Sequence, residues 1–407
     1  MRALNPTANM QVGNVADLPI LDSIFQVEPQ VNLVVKKARM LAREDWDSFE
    51  TSWDFQTFPS LRPDLKAATV EQSFLNWQSH CQANIRRMQE LETENNRLFI
   101  EAYGLQDELS PEVPEDQITL AHADREADIR RLVSYAVGCM MGRYSLDRPG
   151  LVYAESGNVG FDPSAYATFP ADADGIIPAM DADWFADDAA NRFVEFIGKA
   201  WNPGSAGVPA CPVVEDGPVD STQPTTEARQ ARTPALPGLE ENQRYVAESL
   251  NPARNEEPRD TIRRYFAQSF FKDHLKTYKK RPIYWLFSSG KQRAFQCLVY
   301  LHRYNEGTLA RMRTEYVIPL QGKLAARIQQ LETGKSAAAS TSHRKKIEKE
   351  QDTLKKQQAE LVAFDEKLRH FADQRIRLDL DDGVKVNYGK FGDLLAEVKA
   401  VTGGSED

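Results

Sequence analysis

Hydrophobic positions along the chain alternate between stretches with a helical period and stretches with none. In 69–103, Phe74, Trp77, Cys81, Ile85, Met88, Leu91, Leu98 and Phe99 recur at threes and fours, which places them on one face of a long helix. Gly104 is its expected stop, and the Pro-rich SPEVPEDQ that follows reads as a loop. A second helix is expected from near Ala123 through Ile129, Leu132, Val133, Ala136, Val137 and Met140, with Gly142 as its C-terminal cap. Residues 146–169 carry Gly, Pro and Asn at short intervals and read as turns with brief strands. The acidic ADADGIIPAMDADWFADD reads as a loop leading into a helix over 189–200. The aromatic stretch 45–60 lacks a helical period, so Trp46, Phe49, Trp53, Phe55 and Phe58 are expected to pack as an irregular segment onto a neighbour.

Past 202–238, rich in Pro, Gly, Ser, Thr and Ala and read as a linker, a helix is expected over 239–250. Leu309, Met312, Val317, Leu320, Leu324, Ile328 and Leu331 form one periodic run. Ile347, Leu354, Leu361 and Leu368 form a second with a period of seven, with Phe364 and Phe371 between. GKSAAASTS between them reads as a turn, which predicts a long antiparallel helical hairpin. The tail is expected to turn at Asp382–Gly383, form a short strand over 384–387 and end in a helix. The resulting fold class is mainly α with short β segments, comprising helical domains and the hairpin near the C-terminus. Its expected divisions are a tail of an upstream region (1–20), a mainly helical domain (21–201), the linker (202–238), a basic aromatic domain (239–320), the hairpin (321–377) and a strand-helix tail (378–407).

At 407 residues and 41% apolar content the chain can bury a sizeable core. No run of eighteen apolar residues occurs, and the first residues resemble neither a signal nor a transit peptide, so no membrane partner is expected and the location should be cytoplasmic. Cys81, Cys139, Cys211 and Cys297 lie far apart with no CxxC pair and are expected to be reduced, mostly buried thiols. The net charge is −10, yet 259–304 holds eleven Lys and Arg against two acids, a balance of +9 that leaves −19 for the remainder. Eleven aromatic residues are interleaved there, among them Tyr284, Trp285, Phe287 and Phe295. Cations offset phosphates and planar rings meet bases, so the segment fits a nucleic-acid surface. It equally fits an amphipathic core segment whose cations are its solvated face.

No catalytic constellation emerges. GxSxG and HExxH are absent, and the six histidines (His80, His122, His274, His302, His343, His370) never pair at metal-ligand spacing within a helix. Gly334–Lys335–Ser336 resembles the end of a P-loop, but Gln329 stands where the earlier Gly is required. Asp172, Asp174, Asp181 and Asp183 invite a calcium reading, but the twelve-residue ligand spacing is missing, so no metal site is expected. Asn5–Pro6 and Asn251–Pro252 are not followed by the Pro-aromatic pair with which an amino-methyltransferase holds its target.

Four blocks in register do resemble a known family. Residues 280–321 (KRPIYWLFSSGKQRAFQCLVYLHRYNEGTLARMRTEYVIPLQ), 94–120 (ENNRLFIEAYGLQDELSPEVPEDQITL), 129–154 (IRRLVSYAVGCMMGRYSLDRPGLVYA) and 380–395 (LDDGVKVNYGKFGDLL) are similar to PglX, the adenine-specific DNA methyltransferase of bacterial BREX phage-defence systems. The opening LNPTANMQVGNVADLPI resembles the end of a target-recognition region. The resemblance implies a C-terminal, post-catalytic part that shapes DNA recognition. The family's upstream catalytic domain binds S-adenosylmethionine, flips an adenine out of the duplex and methylates N6. No catalytic role maps onto these residues, so no cofactor is expected in this chain and by itself it should be inactive. Expected partners are double-stranded DNA, the upstream methyltransferase domain or chain, and other BREX proteins. Arg263, Arg264, Lys279, Lys280, Arg281, Lys291, Gln292 and Arg293 are the DNA-contact candidates, with Gln292 and Arg293 the base readers. The alternative is a protein-interaction module whose long hairpin docks other BREX components or a phage inhibitor.

Overall fold

A computed structural model describes residues 20–201, 238–337 and 340–403. The expected upstream tail up to residue 19, the linker up to residue 237 and Cys211 lie outside the described residues. Two compact units emerge, Met1–Ser52 with Trp77–Ala123, and Trp53–Asn76 with Asp124–Asp407. Residues 21–201 contribute to both.

The smaller unit pairs helix α1 (Asp22–Trp46) with most of α2 (Val70–Tyr103). Ser23 donates to the Ala102 carbonyl at 2.6 Å, while Ala38 and Leu41 pack on Ile85 and Met88. One end of α1 thus meets the far end of α2, as in an antiparallel pair. Val113, Ile118 and Leu120 close the same core, and Gln89 and Asn96 fix that Pro-rich stretch by donating to the Val113 and Pro111 carbonyls. The threes-and-fours pattern of α2 is borne out, since Phe74, Trp77, Cys81, Ile85, Met88, Leu91 and Leu98 are all buried. Gly104 ends the helix at φ +68°, a left-handed conformation that glycine adopts at low cost.

The larger unit is built on a three-stranded antiparallel sheet in the order β1–β3–β2, with β1 Ile176–Pro178, β2 Tyr284–Ser288 and β3 Gln296–Tyr300. Strands β2 and β3 are buried nearly throughout, which explains why they read as continuous apolar runs rather than alternating ones. Trp285 and Phe287 point to one face, where Tyr388 and Phe391 meet them edge-on. Tyr284 points to the other, stacked on His274. Helices α3 (Arg125–Met140), α4 (Ala189–Trp201), α5 (Leu239–Ser249), α6 (Pro258–Gln268) and α7 (Phe270–Thr277) complete this core. Asp124 caps α3 by accepting from Ala127 N–H at 2.7 Å. Gly142 follows it at φ +78°, with Phe161 2.6 Å from where a Cβ would sit.

The C-terminal helices start with α8 (Thr308–Arg311), widen to π-helical bonding over Met312–Val317, and continue as α9 (Ile318–Ala337). The widening has a local cause, because Pro319 has no N–H to donate and its ring crowds the preceding turn. Helix α10 (Thr341–Asp373) buries Ile347, Leu354, Leu361, Phe364 and Leu368. Arg313–Asp365, Arg327–Glu350 and Lys335–Glu348 link α10 to the preceding helical run. Their partners descend along α10 as the cations ascend, so the two run antiparallel. The chain ends with α11 (Gly383–Gly389) and α12 (Val398–Thr402).

Three expectations need correction. Residues 384–387 are helical, not a strand, because Asn387 Nδ2 bonds the Gly383 carbonyl one turn back at 2.9 Å and that turn sends Tyr388 under Trp285. The stretch 146–169 holds no strand; β1 instead forms inside the acidic stretch, paired with β3. Of the aromatics in 45–60, Phe55 and Phe58 are buried against Tyr135, whereas Trp46 and Trp53 face solvent, Trp53 at 99% exposure.

Candidate nucleic-acid interface

The cations of 259–304 divide into arginines held by internal partners and an exposed set that is mostly lysine. Arg263 is 5% exposed and donates to Asp188, to the Ala182 carbonyl and to Asn191, with Asp183 at 3.3 Å. Asp188 is itself held as a cap on Asn191 N–H, and its burial raises its pKa against the pull of Arg263. Arg264 grips both Glu256 oxygens at 2.8 and 2.9 Å and the Asn251 carbonyl at 2.7 Å. Those hydrogen bonds hold the Glu256 carboxyl down at about 2. Arg303, 1% exposed, donates to Asn158, Asp172 and Ala173 and lies 3.8 Å over the Phe161 ring. Arg259 donates to Asn191. In Arg263, Arg264 and Arg303 the rigid guanidinium fork thus serves internal partners, whereas Arg259 and Arg281 are exposed. Arg263 and Arg264, expected at DNA, are spent on Asp188 and Glu256, so neither fork is left for phosphate.

The lysines point outward. Lys272 and Lys276 lie one turn apart on α7, and Lys279, Lys280 and Arg281 follow in the turn that ends it. All five are exposed and make no ion pair among the described residues. The one acid of α7, Asp273, is drawn away toward Tyr265 Oη at 2.8 Å and Arg130 at 3.9 Å. Lys279 and Lys280 adopt left-handed backbone, φ +50° and +62°, which costs a β-carbon-bearing residue on the order of 1 kcal/mol each. Lys280 N–H closes the helix by bonding the Leu275 carbonyl at 2.7 Å. Lys272 and Lys276 were missed by the sequence reading, although their four-residue spacing was available.

Beneath this turn His274 is fully buried. Its Nε2 accepts from both Ile283 N–H at 3.0 Å and Tyr284 N–H at 3.1 Å, which ties α7 to the entrance of β2. Burial, with the nearby Arg143 charge, pushes its pKa down to about 3, so the ring is neutral and its proton sits on Nδ1.

Lys291, Gln292 and Arg293 occupy the β2–β3 loop. They and Lys279–Arg281 sit at opposite ends of the five-residue β2, about 13 Å of strand apart. Lys291 and Gln292 are exposed; Arg293 is half-buried at φ +49°, and its charge only partly offsets the burial that raises the Asp181 carboxyl pKa. The loop closes over the Glu360 carboxylate of α10. Oε1 accepts from Ser289 Oγ at 2.7 Å and Ala294 N–H at 3.2 Å, and Oε2 accepts from Gln292 N–H at 2.7 Å. Gln357 adds a bond to the Gln292 carbonyl at 3.2 Å.

The acidic stretch is structural. Asp172 accepts from the Asp174 and Gly175 amides, and Asp174 from Ile176 N–H and Tyr316 Oη, which sets the turn into β1. Burial, with Asp174 beside it, raises the Asp172 carboxyl to about 6. Among the described residues no three His, Cys, Asp or Glu gather as a metal site, and no helix is long and apolar enough to cross a membrane.

No protein-family model matches the chain. It is 40% identical over 426 aligned residues to the adenine-specific methyltransferase BrxX of Escherichia coli O9:H4 (strain HS), an alignment that takes in 99% of this chain and 32% of the relative. It is 37% identical over 408 residues to the adenine-specific methyltransferase PglX of Lacticaseibacillus casei (strain Zhang), covering 99% of this chain and 30% of that protein. The expected resemblance to PglX therefore holds along essentially the whole chain. The chain spans about a third of the length of the curated relatives it matches.

Proposed function

We propose that this chain is the DNA-recognition and spacer part of a PglX-type adenine-specific methyltransferase in BREX phage defence, acting in the cytoplasm on double-stranded DNA. In this reading methyl transfer and S-adenosylmethionine binding reside in the portion of the relatives that the chain does not match, and the chain alone is inactive. The observation that carries it is the run of exposed cations Lys272, Lys276, Lys279, Lys280 and Arg281, without an ion pair among the described residues and held on α7 and a strained turn. Flexible ammonium groups without an internal acid suit non-directional phosphate contact. Lys291 and Arg293 extend that contact from the far end of β2, and Gln292 and Arg293 are the side chains chemically suited to read base edges.

The test is titration of the 407-residue chain with a mixed-sequence DNA duplex at several salt concentrations. Binding should weaken steeply with salt, and Lys279→Ala/Lys280→Ala/Arg281→Ala should flatten the slope by about 2–3. Absence of binding at low salt defeats the reading. A second reading, protein docking, draws on Phe25, Leu33 and Met40, which are exposed along α1. Binding of the remaining methyltransferase portion, lost when those three become Ser, supports it.

A further inference from the structure

The Glu360 contact has features that ordinary packing between a helix and a loop does not require. Three donors converge on one half-buried carboxylate, two of them backbone amides of the single loop between β2 and β3, and no cation joins them among the described residues. Amides converging on one point form an anion-binding nest. Here the anion is a side chain of the protein itself, so the loop backbone is not free to take a phosphate. What the loop offers outward is its side chains: Lys291, Gln292 and Arg293, consecutive residues next to the latch. Gly290 fits the same construction. At φ +134° it takes a conformation L-residues rarely adopt, and a Cβ there would come within 3.0 Å of Glu360 Oε2.

We infer that Glu360 is a positioning residue for DNA recognition, a latch by which α10 holds the 289–294 loop so that Lys291, Gln292 and Arg293 present one fixed constellation to the duplex. The inference rests on the DNA-recognition reading, and it assigns α10 a part in that task. A sign argument separates the latch from simple charge bookkeeping. Neutralising a carboxylate beside two cations raises the local positive potential and on that ground tightens binding to a polyanion. If the carboxylate holds the cations in place, the same change weakens binding, because a mobile loop must be ordered when DNA arrives.

The experiment begins with wild-type binding to a mixed-sequence duplex, followed by Glu360→Gln, Glu360→Ala and Gly290→Ala in the full chain. Amide hydrogen exchange at Gln292 and Ala294 should accelerate about tenfold or more in Glu360→Ala, since bonds to a carboxylate are among the stronger ones. Glu360→Gln, which keeps one acceptor oxygen, should fall between. Duplex affinity should drop about three- to tenfold in Glu360→Ala despite the lost negative charge, and the drop should vanish in a Lys291→Ala/Arg293→Ala background. Gly290→Ala should reproduce both changes and add little to Glu360→Ala. Unchanged exchange overturns the latch, and faster exchange with equal or tighter binding overturns its role in recognition. Failure of the wild type to bind duplex at low salt instead overturns the DNA reading itself, before any variant is compared.

Discussion

His274→Phe tests how the cationic turn is supported. The substitution keeps a ring among Phe270, Tyr278 and Tyr284, whose centroids lie 4.7 to 6.0 Å from the imidazole, and removes the Nε2 acceptor together with an Nδ1–H that has no hydrogen-bond partner among the described residues. The Ile283 and Tyr284 amides then lose their partner in a site sealed from water. At about 1–3 kcal/mol for each orphaned donor, the loss is roughly 2–6 kcal/mol, a large share of the stability of a typical domain. A pH signature comes with it. The wild-type ring has a folded pKa of about 3 against an ordinary 6.5, so its stabilising contribution is complete above pH 6.5 and is lost as pH falls toward 3. By proton linkage that is about 2 kcal/mol at pH 5. His302, pushed down by burial to about 4, adds a similar acid-labile contribution. Urea denaturation at pH 7.5 and pH 5 should therefore show a wild type that weakens on acidification. The Phe variant should start lower and lose about 2 kcal/mol less on acidification than the wild type, the part that His274 contributes. A variant within 1 kcal/mol of wild type at pH 7.5, or one with the full acid response, refutes the assignment.

Lys279→Gly and Lys280→Gly should each raise urea stability by about 0.5–1 kcal/mol by relieving the left-handed strain. Each should also reduce the salt slope of DNA binding by about 1, a trade of function for stability. Arg263→Ala should cost about 3–5 kcal/mol in urea denaturation by stranding the Asp188 carboxylate. Arg263→Met combined with Asp188→Asn, which keeps the cap on Asn191, should recover more than half of that. Gly142→Ala should lower thermal stability by about 2–4 kcal/mol, because its Cβ would meet Phe161 at 2.6 Å in a positive-φ backbone.

The helices were legible because their signal is local. Eight apolar residues at threes and fours mark α2, and a seven-residue period marks α10, without reference to the rest of the chain. Where the chain misled, two periods competed within a few residues or the partner was distant. Val384, Val386 and Tyr388 alternate like a strand, yet seven residues are equally two helical turns, and the Asn387 side chain decides between them. Strand β1 is three residues long and exists only because β3 lies beside it more than a hundred residues later. The Glu360 latch was illegible for the same reason, since the carboxylate and the amides it binds are about seventy residues apart and no local pattern joins them. Lys272 and Lys276 stand four residues apart, a helix-face signal that a total of charge does not carry.

Charge counting treated the eleven cations of 259–304 as one quantity, and the structure separates them by chemistry. Arginine offers a planar fork that two oxygens can fill, so it can be buried with its donors satisfied, as Arg263, Arg264 and Arg303 are. An ammonium is strongly hydrated and resists that environment, so the lysines remain in water and carry the net field. The aromatics follow the same division: Tyr284, Trp285, Phe287 and Phe295 are fully buried and are not available to stack on bases. Core packing, one of the two readings of this segment, is therefore carried by its aromatics and buried arginines, and the phosphate contact proposed above falls to other residues within it. Substitutions should separate them: Arg263 variants are expected to change urea stability, whereas Lys279, Lys280 and Arg281 variants are expected to change salt-dependent DNA binding while the core stays intact.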